Sequence, residues 1–318
     1  MATYKGIHGT KIQEYTSDPA NPETGEVWYN STTNALKYFY INPGAWATGG
    51  NLNTGRNSLA GAGTQTAALA FGGYSALALT ESYNGTAWTE VNDLDTARHN
   101  LAGCGTNTAA LAFGGQPNAK AQTEKWNGTN WTEVGDLTTG RQKLAGCGTQ
   151  TAALGFGGYV GGISALTETF NGTAWTEVNN LTLARQYLAG CGTNTAALAF
   201  GGQPVNPPSA NLSVLTETWN GTNWTEIGDL NTGRQKLAGA GTTTSALAFG
   251  GTNPISALTE FWNGSAWTEV ADLGTARYSL AGAGTANTAA LAFGGATAPK
   301  QQTEAWNFGP ITATIGTS

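Results

Sequence analysis

Histidine is almost missing from this sequence: His8 and His99 are the only two in 318 residues, and there are three cysteines. A zinc site or a copper centre needs several such ligands at close spacing, so no metal and no cofactor is expected. Charge is scarce too, at 11% of residues, with a formal net charge of −6 and no run of Lys or Arg. A chain without a basic face is a poor match for phosphate backbones, so nucleic acid is not expected as a partner. No apolar stretch reaches the roughly 18 residues of a membrane span, so no membrane insertion is expected. The opening "MATYKGIHGTKIQEYTSDPANPETG" lacks the apolar centre of a signal peptide, which points to synthesis in a cytoplasm.

Glycine and tryptophan are abundant instead, at 46 and 11 residues, a profile of short strands and tight turns. Six segments follow one template: R-x-x-L-A-G-x-G-T, then T-A-A-L-A-F-G-G, a variable loop, T-E-x-(aromatic)-N-G-T-x-W-T-E-V, and x-D-L-x-T-x-R. The period is about 43 residues, marked by glycine doublets from Gly72–Gly73 to Gly294–Gly295. A period in this range with four short strand signals predicts propeller blades rather than a helical solenoid. Strands a and b, such as "NSLAGAGT" and "TAALAFGG", are small and apolar on both faces, as suits a crowded axis. Strands c and d carry the aromatics and meet at Asn-Gly, a strong hairpin signal. Asn84, Asn127, Asn171, Asn220 and Asn263 also begin glycosylation-type triplets, and without a secretory signal the turn reading is preferred.

Cys104, Cys147 and Cys191 occupy the slot that Ala62, Ala240 and Ala283 fill in sister copies, so they read as small buried residues. The protein's six arginines, Arg56, Arg98, Arg141, Arg185, Arg234 and Arg277, each stand ten positions after a Trp: Trp46, Trp88, Trp131, Trp175, Trp224 and Trp267. They recur in step with the Glu of "LTE" and near the Asp of "DL". Bidentate Arg–carboxylate pairs tying blade to blade are therefore preferred over a ring of arginines around an anionic ligand. An enzyme is not expected, because acid–base catalysis needs carboxylates in distinct environments and Glu81, Glu124, Glu168, Glu217, Glu260 and Glu304 are copies of one position.

Over residues 44 to 309, the doublet after an apolar strand, the aromatic before the turn, the Trp and the closing Arg resemble the kelch motif of β-propellers. The hairpin is shorter than in the usual kelch unit, five residues from Trp126 to Trp131. The expected fold is all-β: a six-bladed propeller of four-stranded kelch-like blades. The last unit ends in "PITATIGTS" and lacks a fourth strand, whereas "GAWAT", residues 44 to 48, is a fourth strand without a blade. Trp46 is thus expected to close the ring from the N-terminal side, with closure by the C-terminal "ITATI" as the alternative.

Residues 1 to 43 form a separate region outside the propeller of residues 44 to 318, a Pro-bearing arm followed by the hairpin "GEVWYNSTTNALKYFY". Residues 8 to 48, through Trp28, Tyr29, Asn30, Thr32, Thr33, Leu36, Lys37 and Trp46, resemble N-terminal segments of tailed-bacteriophage virion proteins. That resemblance implies a non-enzymatic structural or host-recognition component of the virion: a tail fibre, a baseplate-associated protein or a capsid-surface protein. Its implied partners are other virion proteins and sister subunits, with a host-surface glycan as a further candidate. A carbohydrate-binding lectin unrelated to any virus is the competing reading.

Tyr4, Ile7, Ile12, Trp28 and Tyr40 have no evident burial place in a closed ring and are expected to form an exposed attachment surface. The alternative is that the hairpin folds back on its own ring. Specificity is expected where the repeat breaks, in the loops from strand b to strand c. Candidate contacts there are Asn118, Lys120, Tyr159, Gln203, Asn206, Ser209, Asn211 and Lys300, on the same face as the arginines. The longest loop contains Pro204, Pro207 and Pro208, which lower the cost of ordering it.

Overall fold

The computed structural model describes residues 12–204 and 213–315. Every helix or strand among them is a strand, and each repeat folds into an antiparallel sheet of the kind that makes up β-propellers. In the first complete sheet, strand a is Ala60–Gly63, b is Ala68–Phe71, c is Thr80–Tyr83 and d is Trp88–Val91, paired in that order. Sheets of the same order begin at Ala102–Gly105, Ala145–Thr149, Ala189–Gly192 and Ala238–Thr242. Ala281–Ala286 and Ala289–Phe293 form strands a and b of another, beside Thr303–Thr314.

The residue choices follow from burial. Strand b is inaccessible on both faces, so "ALAF" carries no polar side chain. Strand d, at the sheet's outer edge, has its Trp buried and the following Thr and Glu exposed. Between c and d the Asn84 carboxamide oxygen accepts the N–H groups of Thr86 (3.0 Å) and Ala87 (2.9 Å), so this side chain builds its own turn. In strand a, a Cβ on Gly103 would lie 2.3 Å from Phe71 Cζ, so the Phe of one sheet fills the space that glycine leaves in the next.

Each strand-d Trp reaches the preceding sheet. Trp131 packs edge-on against Phe71 with ring centroids 5.0 Å apart and donates its indole N–H to Thr80 Oγ1 at 3.0 Å. Trp175, Trp224 and Trp267 repeat this on Phe113 and Thr123, Phe156 and Thr167, and Phe200 and Thr216. Trp88 does so on Phe293 and Thr303. Trp46 does so on Phe249 (4.9 Å) and Thr259 Oγ1 (2.9 Å), with Trp306 beside it at 5.5 Å.

The chain divides into two compact units, Ala45–Asn307 and a smaller one made of the described residues up to Gly44 and from Phe308 onward. Two long strands contribute to both: Ala35–Thr48 and Thr303–Thr314, neighbours in one sheet. "PITAT" continues strand c without a break, as its β-branched residues favour. In the smaller unit Gln13–Tyr15 pairs in parallel with Val27–Asn30, whose hairpin partner is residues 35–38. Ile315 N–H donates to the Leu36 carbonyl at 2.8 Å.

Trp28, expected on an exposed attachment surface, is fully buried. The reason is the "SDPANP" segment, where Asp18 Oδ1 accepts both the Trp28 indole N–H (3.0 Å) and Asn30 Nδ2 (2.7 Å). Ile12 is 55% exposed. Tyr4, Ile7 and the side chain of Tyr40 lie outside the described residues.

Two outcomes are expected. Gly103→Ala overpacks the Phe71 contact and lowers stability by about 1 to 3 kcal/mol, whereas Gly162→Ala, with nothing within 4 Å of its Cβ, stays within about 0.5 kcal/mol of the parent; urea unfolding of both variants measures the difference. The hydrogen bonds from Asn30 and then Trp28 hold the Asp18 carboxyl below its usual range. Its folded pKa being depressed, its contribution is present above the ordinary carboxylate range and fades as pH falls through the folded value. Hydrogen exchange should therefore show the amides of residues 27–30 losing protection in acid, and in Asp18→Ala at neutral pH, while strand b of the repeats stays protected.

Candidate functional site

Each connection from strand d to the next strand a is held at both ends. On one side the Asp of "DL", or Asn180 in one copy, accepts from the sheet just left, as Asp136 Oδ1 does from Thr123 N–H at 3.1 Å. On the other side the connection is held by a Glu of the sheet about to begin. Glu124 Oε1 receives Arg98 Nη2 at 2.7 Å, and its Oε2 receives the Asp95 backbone N–H at 2.7 Å. Arg98 Nη1 donates to the carbonyls of Gly114 (3.0 Å) and Gln122 (2.6 Å), at the two ends of the b-to-c loop. The expected bidentate fork is thus absent: the carboxylate divides its oxygens between guanidinium and backbone, which fixes the connection's path as well as its charge.

The same pair recurs as Arg56–Glu81, Arg141–Glu168, Arg185–Glu217, Arg234–Glu260 and Arg277–Glu304, at 2.6 to 3.0 Å, with every side chain no more than 3% exposed. Burial pulls each guanidinium down from its usual value and the facing Glu opposes that pull. The glycine doublet belongs to this arrangement. A Cβ on Gly72 would stand 2.7 Å from the Arg98 carbonyl oxygen, and one on Gly73 would stand 3.0 Å from Arg56 Cδ. Sealed from solvent and already partnered, these charges are not placed to act on a substrate.

Two residues after each arginine the chain takes a left-handed conformation. Ser58, Asn100, Lys143, Tyr187, Lys236 and Ser279 all have φ between 52° and 59°. Their main chains form a circuit in which each N–H donates to the carbonyl of the previous member, from Asn100 to Ser58 through to Ser279 to Lys236, and Ser58 donates to Ser279, all at 2.8 to 2.9 Å. No member is glycine, although glycine adopts this conformation at least cost. The flanking Leu-Ala-Gly is the same in every copy, while the circuit's side chains differ.

Ser58, Asn100, Tyr187, Lys236 and Ser279 line a basin of about 490 Å³ with Tyr74, His99, Tyr278 and Lys300, and no carboxylate of the described residues lines it. Lys143 lines a smaller cavity of about 110 Å³ that shares those five residues. Lys143 Nζ lies 4.8 Å from the Tyr159 ring centroid and 4.9 Å from that of Tyr187, and Lys236 Nζ lies 4.8 Å from Tyr187 and 5.4 Å from Tyr278. Burial holds the His99 imidazole below its usual value.

Of the loop candidates, Lys300 lines the basin, while Tyr159 lies under the Lys143 ammonium and is not in the basin lining. Gln203 Oε1 is occupied by Gln186 Nε2 at 2.7 Å, Asn118 is exposed and Lys120 half-buried, neither of them in the basin lining. Asn206, Ser209 and Asn211 lie outside the described residues. The residues that sequence reasoning missed are the circuit's own. Their signal was present, as one variable position inside an otherwise constant R-x-x-L-A-G.

A second cavity, of about 260 Å³, is lined by glycines and small residues including Cys104, Cys147 and Cys191. Burial pushes the Cys104 and Cys191 thiols up to about 12, so they stand there neutral. Among the described residues no cluster of His, Cys, Asp or Glu suited to a metal ion occurs.

If the carboxylates are structural, Glu168→Gln strands Arg141 in a dry environment and lowers stability by about 3 to 5 kcal/mol. Chemical denaturation is the measurement, and an unchanged midpoint would argue that Glu168 serves some other purpose. No family model matches the chain and no curated protein is significantly similar to it, so its role is argued from this geometry.

Proposed function

We propose that this chain is a non-catalytic structural protein of a tailed-phage virion, a tail fibre, baseplate-associated or capsid-surface component. In this reading its N-terminal arm docks on the particle and its repeats display a recognition face. The repeat sheets are then the blades of a six-bladed kelch-like propeller, with residues 45–48 supplying the last blade's fourth strand. The Trp46 contacts with Phe249, Thr259 and Trp306 and the main-chain circuit support that closure.

One observation carries the recognition role. The charged groups suited to chemistry are copies of one buried pair, whereas side-chain variety collects around one basin. Docking through the arm rests on Ile12 and Val27, both exposed and each preceding one member of the Gln13–Trp28 pair, and on exposed Ile315 in the same unit. Exposed apolar groups on a small sheet suit an interface. The lectin reading is favoured by the tyrosines of the basin and is compatible with a virion protein that binds host glycans.

The test is a chain lacking residues 1–34, which keeps the whole strand Ala35–Thr48. It is expected to stay folded by circular dichroism and to be missing from purified particles, where immunogold labelling detects the full chain. Full occupancy by the truncated chain would refute docking through the arm, and absence of the full chain from particles would refute the virion role.

A further inference from the structure

Lys236 lines the basin, and Lys143 joins it in lining the smaller cavity of about 110 Å³ that shares Ser58, Asn100, Tyr187, Lys236 and Ser279 with the basin; the two cations lack a counter-ion. Among the described residues the ion pairs are all Arg–Glu, so neither Lys143 nor Lys236 has a carboxylate partner, and no acidic side chain lines the basin. The two ammonium groups sit on either side of one residue, 4.9 and 4.8 Å from the Tyr187 ring centroid. Burial and the facing Lys236 both pull the Lys143 ammonium below its usual value, the mark of a cation left without compensation. In a chain with a net charge of −6, leaving two lysines together and unpaired is a local arrangement that an anion would relieve.

The arrangement also limits what the anion is attached to. Cation–π contacts hold both lysine heads over tyrosine rings, so their positions are set before a ligand arrives. Tyr74 is 61% exposed and stands edge-on to His99 at 5.3 Å, presenting a flat apolar surface at the basin wall. Asn57, Ser58, Asn100 and Gln116 add amide and hydroxyl groups that donate and accept. Aromatic faces for C–H surfaces, amides for hydroxyls and paired ammonium groups for a carboxylate make a set suited to an acidic sugar. The volume of about 490 Å³ falls within the range of small-ligand sites. Strain points the same way: Lys143, Tyr187 and Lys236 hold φ of 59°, 55° and 55°, a conformation costly for such residues where glycine would be unstrained.

We propose that this basin, together with the smaller cavity that shares its circuit residues, binds a carboxylated saccharide, its carboxylate drawn to the Lys143 and Lys236 ammonium groups that flank Tyr187 and its ring laid against the surrounding tyrosines. The proposal deepens the recognition reading by naming the chemical class of what is recognised. It does not depend on where the chain is carried.

The test is calorimetric titration of the full chain with trigalacturonic acid, with its neutral methyl ester, and with inorganic phosphate. The acid is expected to bind, the ester to bind about tenfold or more weaker, and the affinity for the acid to fall with rising salt. Lys143→Gln/Lys236→Gln is expected to lose about tenfold or more in affinity for the acid, with a thermal unfolding curve like the parent's that shows the ring intact. Equal binding of acid and ester, undiminished binding by the double variant, or no saccharide binding at all would overturn the proposal. Phosphate competing as well as the acid would overturn its saccharide part. Failure here with the truncated chain still lost from particles would remove the ligand and leave the virion role standing.

Discussion

The position of every connection between neighbouring sheets depends on one buried carboxylate with two obligations. Glu124 neutralises Arg98 with one oxygen and holds the Asp95 N–H with the other, and Arg98 in turn spans the two carbonyls at the base of the loop above it. Buried ion pairs of this kind add little net stability over an apolar substitute, because desolvation offsets most of the attraction. Their effect is on uniqueness. A charge with no water to turn to admits one partner at one place, so the connection has one path and the residues that follow it have one conformation. The left-handed turn two residues on, and hence the basin, are downstream of that constraint.

Much of this was legible because repetition turns a weak signal into a strong one. One Gly-Gly pair means little, but a doublet after each "ALAF" marks a place where backbone must admit an arginine, as the Gly73 contact with Arg56 shows. The aromatic hairpins were readable for the same reason. The single-copy parts were not. Trp28 looked available because its cover is Asp18, in an extended Pro-bearing segment with no periodicity to show that it folds over an indole. The circuit was hidden by chemistry: among its members only Asn100 is a residue type that favours positive φ, and lysine, tyrosine and serine give no such sign. The divided use of the Glu oxygens was also beyond reach, since a bidentate fork and a split carboxylate have the same sequence.

Two uses of lysine and arginine coexist in the fold. The arginines are sealed, identical from copy to copy and spent on the scaffold. Lys143 and Lys236 sit at a position that varies among Ser, Asn, Lys and Tyr from sheet to sheet and lean on tyrosines instead of acids. Arginine suits the first task because its planar head serves several carbonyl and carboxylate oxygens at once, and lysine suits the second because its single ammonium leaves donors free.

The circuit through Ser58, Asn100, Lys143, Tyr187, Lys236 and Ser279 is made entirely of peptide groups. A side chain there can be exchanged without removing any bond that holds the circuit together, as the coexistence of serine, tyrosine and lysine in one molecule demonstrates. The identity of the side chains around the basin and the bonds that hold the circuit are thereby assigned to different atoms. Under the proposed recognition role, single substitutions there would alter what the face presents while every hydrogen bond of the circuit stays in place.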